Sequence, residues 1–120
     1  MTLGSAKANR NPAARPSAEL KARARVWAET IGVNPRRIQI QAMRTKWASC
    51  SSLGTITLSS DLLEQEFAFQ EFVLVHELVH LLVPNHGRVF KALMRSYLPD
   101  WERTVAGKAR KCGFQQMPSA

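Results

Sequence analysis

The alternation of hydrophobic and polar positions first indicates a helix near the start of the chain. Apolar side chains recur every three or four residues after Ser17, a residue type that caps helix N-termini, and the pattern ends before Gly32. Glu19 lies in the predicted first turn. The recurring apolar positions are Leu20, Ala24, Trp27 and Ile31. The pattern therefore predicts a first helix from Ser17 to Gly32.

Two short segments then show the two-residue period of a half-buried strand. The first follows the Asn34-Pro35 turn, where apolar residues at 38, 40 and 42 alternate with two glutamines. The second runs from Thr55 to Ser59 after a turn rich in serine and glycine. Together the two segments predict an antiparallel pair of strands.

The second half of the chain has a helical pattern. Asp61 is predicted to cap a short helical segment that ends at Glu66. From Gln70 the residues are apolar almost all round, which is typical of a buried helix, and Pro84 with Asn85 ends it. A further helix is predicted over residues 86–98.

These elements predict an α+β fold with a small antiparallel sheet packed on the N-terminal helix, a buried central helix and a following C-terminal helix. Residues 1–16 contain no acid and no hydrophobic period, so we expect a disordered basic tail there. The domain itself is predicted over residues 17–107, and residues 108–120 are predicted to form a basic C-terminal tail. A chain of 120 residues is long enough for one such domain.

Positive charge is concentrated at the two ends of the chain, which has 17 Lys and Arg against 9 Asp and Glu and a formal net charge of +8. Residues 1–46 hold ten basic residues and two acids, whereas residues 47–87 hold five acids and no Lys or Arg. Basic ends are either solvated surface or the binding site of a phosphate-rich partner such as nucleic acid. Composition does not decide between the two.

The sequence indicates neither a membrane span nor a disulfide framework. The longest apolar run, residues 72–83, is interrupted by two histidines and a glutamate. Cys50 and Cys112 lie 62 positions apart without a CxxC pair. We therefore expect a protein of the reducing cytoplasm with no membrane partner.

The buried helix carries the motif His76-Glu77-Leu78-Val79-His80. Histidines four positions apart lie on one face of a helix, so their ring nitrogens can converge on one ion, and Glu77 can reach a water bound to that ion. Three polar side chains on an apolar helix are costly to bury unless something satisfies them. The motif therefore predicts a Zn²⁺ site on this helix.

A catalytic zinc site generally has three protein ligands and an open position. His86 follows His80 by six residues, and the intervening Pro84-Asn85 break would allow it to fold back toward the same ion. The spacing matches HExxHxxGxxH, but Val83 occupies the glycine position, so the pattern is not that of a metzincin. Asp100 and Glu102 are the competing third ligands, and Asp100 is alternatively a group that orients a ligand imidazole.

This arrangement predicts metal-assisted hydrolysis, in which Glu77 acts as general base on a metal-activated water and then protonates the leaving amine. Tyr97 and Arg88 are the candidates for stabilising the oxyanion. Trp47 is expected in the core rather than as a platform for substrate, and Cys50 as a structural thiol rather than a nucleophile.

The chain resembles the YgjP-like metallopeptidases, relatives of the WLM and SprT-like proteins. Arg44-Thr45-Lys46-Trp47-Ala48-Ser49-Cys50-Ser51 is similar to that family's R-x-x-W-G-S-C-S segment, and Asn85-His86-Gly87-Arg88-Val89-Phe90 is similar to its N-H-S-x-x-F segment. The resemblance implies a minimal zincin-like fold, a zinc ion on His76, His80 and His86, and Glu77 as the base. In zincins generally a peptide lies along an edge strand, which would be residues 55–59 or 38–43 here.

The resemblance leaves the substrate open. The first hypothesis is a zinc metallopeptidase that hydrolyses polypeptides. The alternative is a nucleic-acid-associated zinc module, such as a SprT-like protease acting near DNA or a metal-dependent nucleotide hydrolase. The basic termini would hold the nucleic acid in that case. Oligomeric state is not indicated by the sequence.

Overall fold

The computed structural model describes residues 14–105, which form five helical segments and three strands. The elements in chain order are α1 (Ala14–Ile31), β1 (Arg37–Gln41), β2 (Ala48–Cys50), β3 (Thr55–Ser59), a 3-10 helix (Ser60–Glu64), α2 (Phe67–Val79), α3 (Arg88–Tyr97) and α4 (Trp101–Val105). Of the predicted N-terminal tail over residues 1–16, residues 1–13 lie outside the described residues, whereas residues 14–16 belong to α1. The predicted C-terminal tail over residues 108–120 also lies outside the described residues.

Helix α1 begins at Ala14, three residues before the predicted cap Ser17. It ends as predicted at Gly32, whose positive φ of 89° favours glycine because it has no Cβ. The N–H groups of Gly32 and Val33 both donate to the Ala28 carbonyl, each at 2.9 Å. These two bonds satisfy a carbonyl that the end of the helix would otherwise leave exposed.

Helix α1 is attached to α2 by a polar cluster as well as by its apolar face. Glu71 of α2 accepts hydrogen bonds from the Arg23 guanidinium at 2.7 Å and 3.0 Å and from Trp27 Nε1 at 2.7 Å. The pairing is partly buried, and both carboxylate oxygens are used. This cluster sets the position of α1 on the helix that carries the histidines.

The sheet differs from the predicted antiparallel pair. Its strand order is β1-β3-β2, and β1 runs parallel to β3, with Ile38 opposite Ile56. The prediction of an antiparallel pair was therefore wrong, since β2, a three-residue strand that it missed, is the antiparallel partner of β3. A two-residue period indicates which face of a strand is buried but not the direction of its neighbour.

The hairpin between β2 and β3 places β2 at an edge of the sheet. Ser51 Oγ accepts the N–H groups of Leu53 and Thr55 at 3.2 Å and 3.1 Å, and Gly54 adopts a positive φ of 95°. This compact turn allows the chain to reverse directly into β3. β3 thus lies in the middle of the sheet, between two edge strands.

The 3-10 helix that follows β3 is capped by Ser59 rather than by the predicted Asp61. Ser59 Oγ accepts the Asp61 N–H at 3.2 Å, and the segment ends at Glu64 instead of Glu66. Ser59 is completely buried. This hydrogen bond therefore connects the last residue of β3 to the first turn of the 3-10 helix.

Helix α2 lies at the centre of the core, as its apolar composition predicted. It begins at Phe67, three residues before the predicted start, and ends at Val79, before the predicted Pro84 stop. Helices α1, α3 and α4 and strand β2 pack around it. Its first two residues are exposed, whereas every residue from 72 to 79 is buried. The buried residues are Phe69, Phe72, Val73, Leu74, Val75, His76, Glu77, Leu78 and Val79.

Two further helices close the core. α3 spans Arg88–Tyr97, slightly shorter than the predicted 86–98, and α4 was not predicted because it follows Pro99 and is only five residues long. Trp101 of α4 stacks on Phe72 of α2 at 5.8 Å between ring centroids. The α+β fold class is confirmed, and within residues 14–105 no helix is long and apolar enough to cross a membrane.

Candidate metal centre

The three histidines of the chain lie together at the C-terminal end of α2. His76 lies in the helix, His80 is its C-cap residue directly after Val79, and His86 comes from the loop before α3. One ring nitrogen from each of the three lies within 4.8 Å of the others. Among residues 14–105 this is the one group of His, Cys, Asp and Glu side chains with such an arrangement.

His86 reaches the other two because the chain reverses after α2. The loop contains Pro84, and Asn85 Oδ1 accepts the Gly87 N–H at 3.1 Å, which closes a tight turn around His86. His86 Nε2 lies 3.0 Å from His80 Nε2. The structure therefore brings His86 back to the histidine pair, as the spacing predicted.

Each histidine of the helix has a hydrogen bond on its Nδ1 atom that sets the orientation of the ring. His80 Nδ1 lies 3.2 Å from the Val83 carbonyl, and His76 Nδ1 lies 2.8 Å from Glu77 Oε2. The Val83 carbonyl only accepts, so Nδ1 of His80 carries the proton and its Nε2 carries the lone pair; a carboxylate at Glu77 accepts in the same way from Nδ1 of His76. This is the tautomer in which Nε2 binds a metal.

Burial and mutual proximity keep two of the rings neutral. Burial lowers the pKa of His80, and the neighbouring His76 adds to the effect. The pKa of His86 is lowered to about 4, again mainly by burial and then by the nearby His76 and His80. Both rings are therefore unprotonated near neutral pH, which is the form that coordinates a metal.

The donor set fits a divalent transition ion. Three imidazoles, at least two of them neutral, converge from one helix end and one loop, and imidazole is a good ligand for Zn²⁺. The three histidines would hold such an ion. Phe90, which is fully buried, packs its ring 4.8–5.3 Å from the centroids of all three imidazoles and makes one side of the site apolar.

A cleft of about 480 Å³ opens in front of the histidines. Helix α2 contributes Glu77, which is 4% exposed, and the opposite wall is formed by β2 and the turn after it. The lining residues are His76, Glu77, His80, Leu81, Pro84 and His86 on one side and Lys46, Ala48, Ser49, Cys50, Ser51 and Ser52 on the other. The cleft thus lies between the HExxH helix and an edge of the sheet.

The strand at this edge is not one that the sequence indicated. Residues 55–59 form the central strand β3, and residues 37–41 form β1 at the far edge, so the wall of the cleft is β2. Ser51 N–H donates to the Thr55 carbonyl at 2.9 Å. Main-chain groups alternate along a strand, so Ser49 also faces β3, whereas Ala48 and Cys50 direct their N–H and C=O groups to the open edge.

A family model decides the class of this protein. The model of the YgjP-like family, described as a metallopeptidase domain, matches residues 6–106. The chain belongs to the YgjP-like metallopeptidase family. The predicted enzyme class, a metal-dependent hydrolase of peptide bonds, is thereby confirmed. A comparison with curated proteins finds no significant match.

Solved structures of metallopeptidases share the fold of this YgjP-like domain. The metallopeptidase zymogen abylysin of Pyrococcus abyssi superposes with a TM-score of 0.65 at 22% identity, over 77% of this chain and 96% of that one. The metallopeptidase zymogen jannalysin of Methanocaldococcus jannaschii gives a TM-score of 0.64 at 24% identity, over 74% and 95% of the two chains. At this identity the likeness establishes the fold alone.

The competing ligands lie away from the histidines of the YgjP-like domain. Glu102 of α4 accepts a hydrogen bond from Arg95 of α3 at 2.9 Å, on the surface. Asp100 lines a separate cleft beside Phe67 and Trp101. Neither carboxylate belongs to the group of potential ligands, so the structure gives no support to the alternative in which one of them completes the site.

The two oxyanion candidates also lie elsewhere in the YgjP-like domain. The Tyr97 ring packs edge-on against Trp27, 6.1 Å between centroids, and Arg88 is exposed at the start of α3. Neither residue is among those that line the cleft. The residues of β2 and of the turn after it line the cleft, so they lie closer to a bound substrate than Tyr97 or Arg88 does. They could be recognised only once the order of the strands in the sheet was known.

Residues 44–51, the segment similar to that of the family, contribute to both the core and the cleft. Trp47 is 8% exposed and packs on Phe69 at 5.1 Å, which places it in the core as expected. Cys50 is half-buried and lines the cleft. Burial, followed by the charge of Glu77, raises the pKa of the Cys50 thiol to about 11, so it is not a thiolate nucleophile near neutral pH.

Proposed function

We propose that this YgjP-like domain is a zinc-dependent metallopeptidase in which His76, His80 and His86 hold the ion and Glu77 is the general base. The observation that carries the proposal is the convergence of three imidazole nitrogens within 4.8 Å beside a buried carboxylate in one cleft. A bound Zn²⁺ supplies Lewis acidity, since it lowers the pKa of a water that it holds and polarises a carbonyl.

The chain's own residues transfer the proton and shield the histidines from water. Glu77 accepts a proton from the attacking water and transfers it to the nitrogen of the leaving amine, so that the amide C–N bond breaks and the carboxylate is regenerated. The carboxylate is well placed for this because it lines the same cleft as the three imidazoles. The apolar contact with Phe90 excludes water from the side of the histidines that faces the core.

The substrate is proposed to be an extended polypeptide that pairs with β2. The main-chain groups on the outer edge of β2 belong to Ala48, which is 5% exposed, and to Cys50, which is half-buried, and both residues line the cleft opposite Glu77. Main-chain pairing recognises any extended peptide, so it provides affinity without strong sequence preference. A polypeptide bound there would lie with its main chain between the strand and the histidines.

The proposal is tested by measuring bound zinc and the cleavage of an unfolded protein substrate with wild type and the variant Glu77→Gln. We expect about one zinc per chain in both and loss of cleavage in Glu77→Gln, because an amide does not accept the proton. Glu64→Gln, which removes an exposed acid outside the cleft, is the matched control and should retain activity. Zinc-loaded Glu77→Gln with unchanged activity would contradict the role of Glu77 as base.

Localisation and a nucleic-acid partner remain predictions. We propose the cytoplasm because the two cysteines of the sequence, 62 positions apart and without a CxxC pair, do not indicate a disulfide framework. Of the basic side chains in residues 14–105, only Lys46 lines the cleft. If the basic surface binds DNA or RNA, the affinity should fall steeply with salt, and binding that is absent or independent of salt would contradict that alternative.

A further inference from the structure

The buried contact between His76 and Glu77 indicates a second role for the carboxylate. The Nδ1 atom of His76 and Oε2 of Glu77 are 2.8 Å apart, and the two residues are only 3% and 4% exposed. A hydrogen bond to a charged group is stronger than a neutral one, and low polarity strengthens it further. The pair is therefore a persistent structural unit and not a surface contact that solvent competes away.

We propose that Glu77 is also the positioning residue of His76, because its carboxylate holds the ring in the Nδ1–H tautomer with the Nε2 lone pair available for a metal. This inference rests on the proposed function, in which His76 is a ligand. A carboxylate only accepts hydrogen bonds, so the shared proton belongs to Nδ1. In the same way, the Val83 carbonyl lies 3.2 Å from Nδ1 of His80 and holds that ring in the Nδ1–H tautomer.

The two roles of Glu77 are compatible because a carboxylate has two oxygens. Oε2 accepts the His76 proton, which leaves Oε1 on the same group to accept the proton of the reacting water. The base and one ligand thus form a hydrogen-bonded pair. A change at Glu77 is expected to alter metal binding as well as proton transfer, and the choice of substitution separates the two effects.

Two substitutions of similar size provide the matched pair for the test. Glu77→Gln and Glu77→Leu both remove the negative charge, but only glutamine keeps an oxygen that accepts the Nδ1–H bond. The zinc affinity of each is measured by competition with a chelator. We expect Glu77→Gln to remain within a few-fold of wild type and Glu77→Leu to bind about 10–100-fold more weakly, the usual effect of losing an orienting partner.

A second readout does not depend on bound metal or on activity. The imidazole ¹⁵N shifts of the metal-free protein report the tautomer, and we expect His76 as Nδ1–H in wild type and in Glu77→Gln, with a growing Nε2–H population in Glu77→Leu. Thermal unfolding of metal-free Glu77→Leu shows whether the variant is folded. If it is not, the tautomer of the His76 ring in the metal-free wild type still decides the question.

The outcomes separate this inference from the proposed function. Equal zinc affinity of folded Glu77→Leu and wild type, or a His76 ring that is Nε2–H in the metal-free wild type, would overturn the positioning role and leave the proposed peptidase intact. A wild type that binds no zinc while His76 has the expected tautomer would instead contradict the metal site and preserve the hydrogen-bonded pair.

Discussion

The Nε2 atoms of His80 and His86 lie 3.0 Å apart, although one residue ends helix α2 and the other lies in the loop beyond it. Two ring nitrogens this close share either a proton or a cation. Because His80 directs its Nδ1 atom at the Val83 carbonyl, its Nε2 lone pair faces His86. The loop that returns His86 therefore supplies one of the three histidines of the candidate metal centre.

The third ligand is the first point to test. Metal content of His86→Ala is expected to fall well below one zinc per chain, since two imidazoles bind more weakly than three. Glu102→Ala should retain its zinc, because its carboxylate pairs with Arg95 on the surface, and should lose at most about 1 kcal/mol of stability. Loss of zinc only in Glu102→Ala would show that the carboxylate is the ligand.

The lowered pKa values of His80 and His86 predict a pH dependence of the metal-free protein. The unfolded chain binds protons at these groups below the ordinary value of 6.5, whereas folded His86 binds its proton only near pH 4. The unfolded state therefore holds more protons between these values, and the free energy of unfolding falls as pH falls through that window. Denaturant titrations at a series of pH values measure how steeply the free energy of unfolding changes with pH.

A control isolates the contribution of His86 to that slope. In His86→Gln the group no longer titrates, so the fall in stability between pH 6.5 and about 4 should be shallower than in wild type. Stability that rises on acidification within this window would contradict the lowered pKa values. With zinc present, protons compete with the ion for the imidazoles, and acid should release the metal.

Phe90 is predicted to support the site through packing. Its ring is fully buried and lies 4.9 Å from the His86 ring, so Phe90→Ala leaves a cavity beside the ligands. We expect a loss of about 3–5 kcal/mol in the free energy of unfolding and weaker zinc binding. Val89→Ala, on the exposed side of the same helix turn, should change stability by about 0.5 kcal/mol or less. Equal stabilities of the two variants would contradict this account.

Lys46 is predicted to influence which peptides enter the cleft. It is the cationic side chain of the lining, near one end of the edge strand β2. Reversing its charge in Lys46→Glu should lower kcat/KM for acidic peptides relative to basic ones, because like charges oppose entry. Arg44→Glu is the matched control, since Arg44 is exposed in the same loop but does not line the cleft. An identical shift in both variants would indicate net charge and not the cleft.

The sequence and the structure agree most closely where local chemistry decides the outcome. The turn at Gly32, the buried nature of α2 and the common face of His76 and His80 follow from residue type and helical spacing alone. The return of His86 was also foreseeable, because a proline and an asparagine favour a turn before it, although the helix itself ends earlier, at Val79. These features depend on neighbours within a few positions.

The sheet shows why other features were not foreseeable. A three-residue strand such as β2 has no detectable period, and alternation carries no information on whether β1 and β3 run in the same direction. The direction depends on how the intervening chain crosses the sheet, which is decided by packing against the helices. The sequence therefore suggested residues 55–59 or 38–43 as the edge strand for a peptide, whereas the strand that lines the cleft is β2.

The amino-acid sequence by itself indicated the enzyme class and the buried HExxH helix, and it left His86, Asp100 and Glu102 as alternatives for a third ligand beside the histidines His76 and His80. Only the tertiary structure decided that β2 faces them, that Asp100 and Glu102 lie elsewhere, and that Glu77 bonds to His76. Adjacent helix positions do not normally face each other, so spacing does not predict this last contact. The physical reason is that the hydrophobic period of a segment describes one helix or strand, whereas a cleft is formed between elements that are distant in sequence.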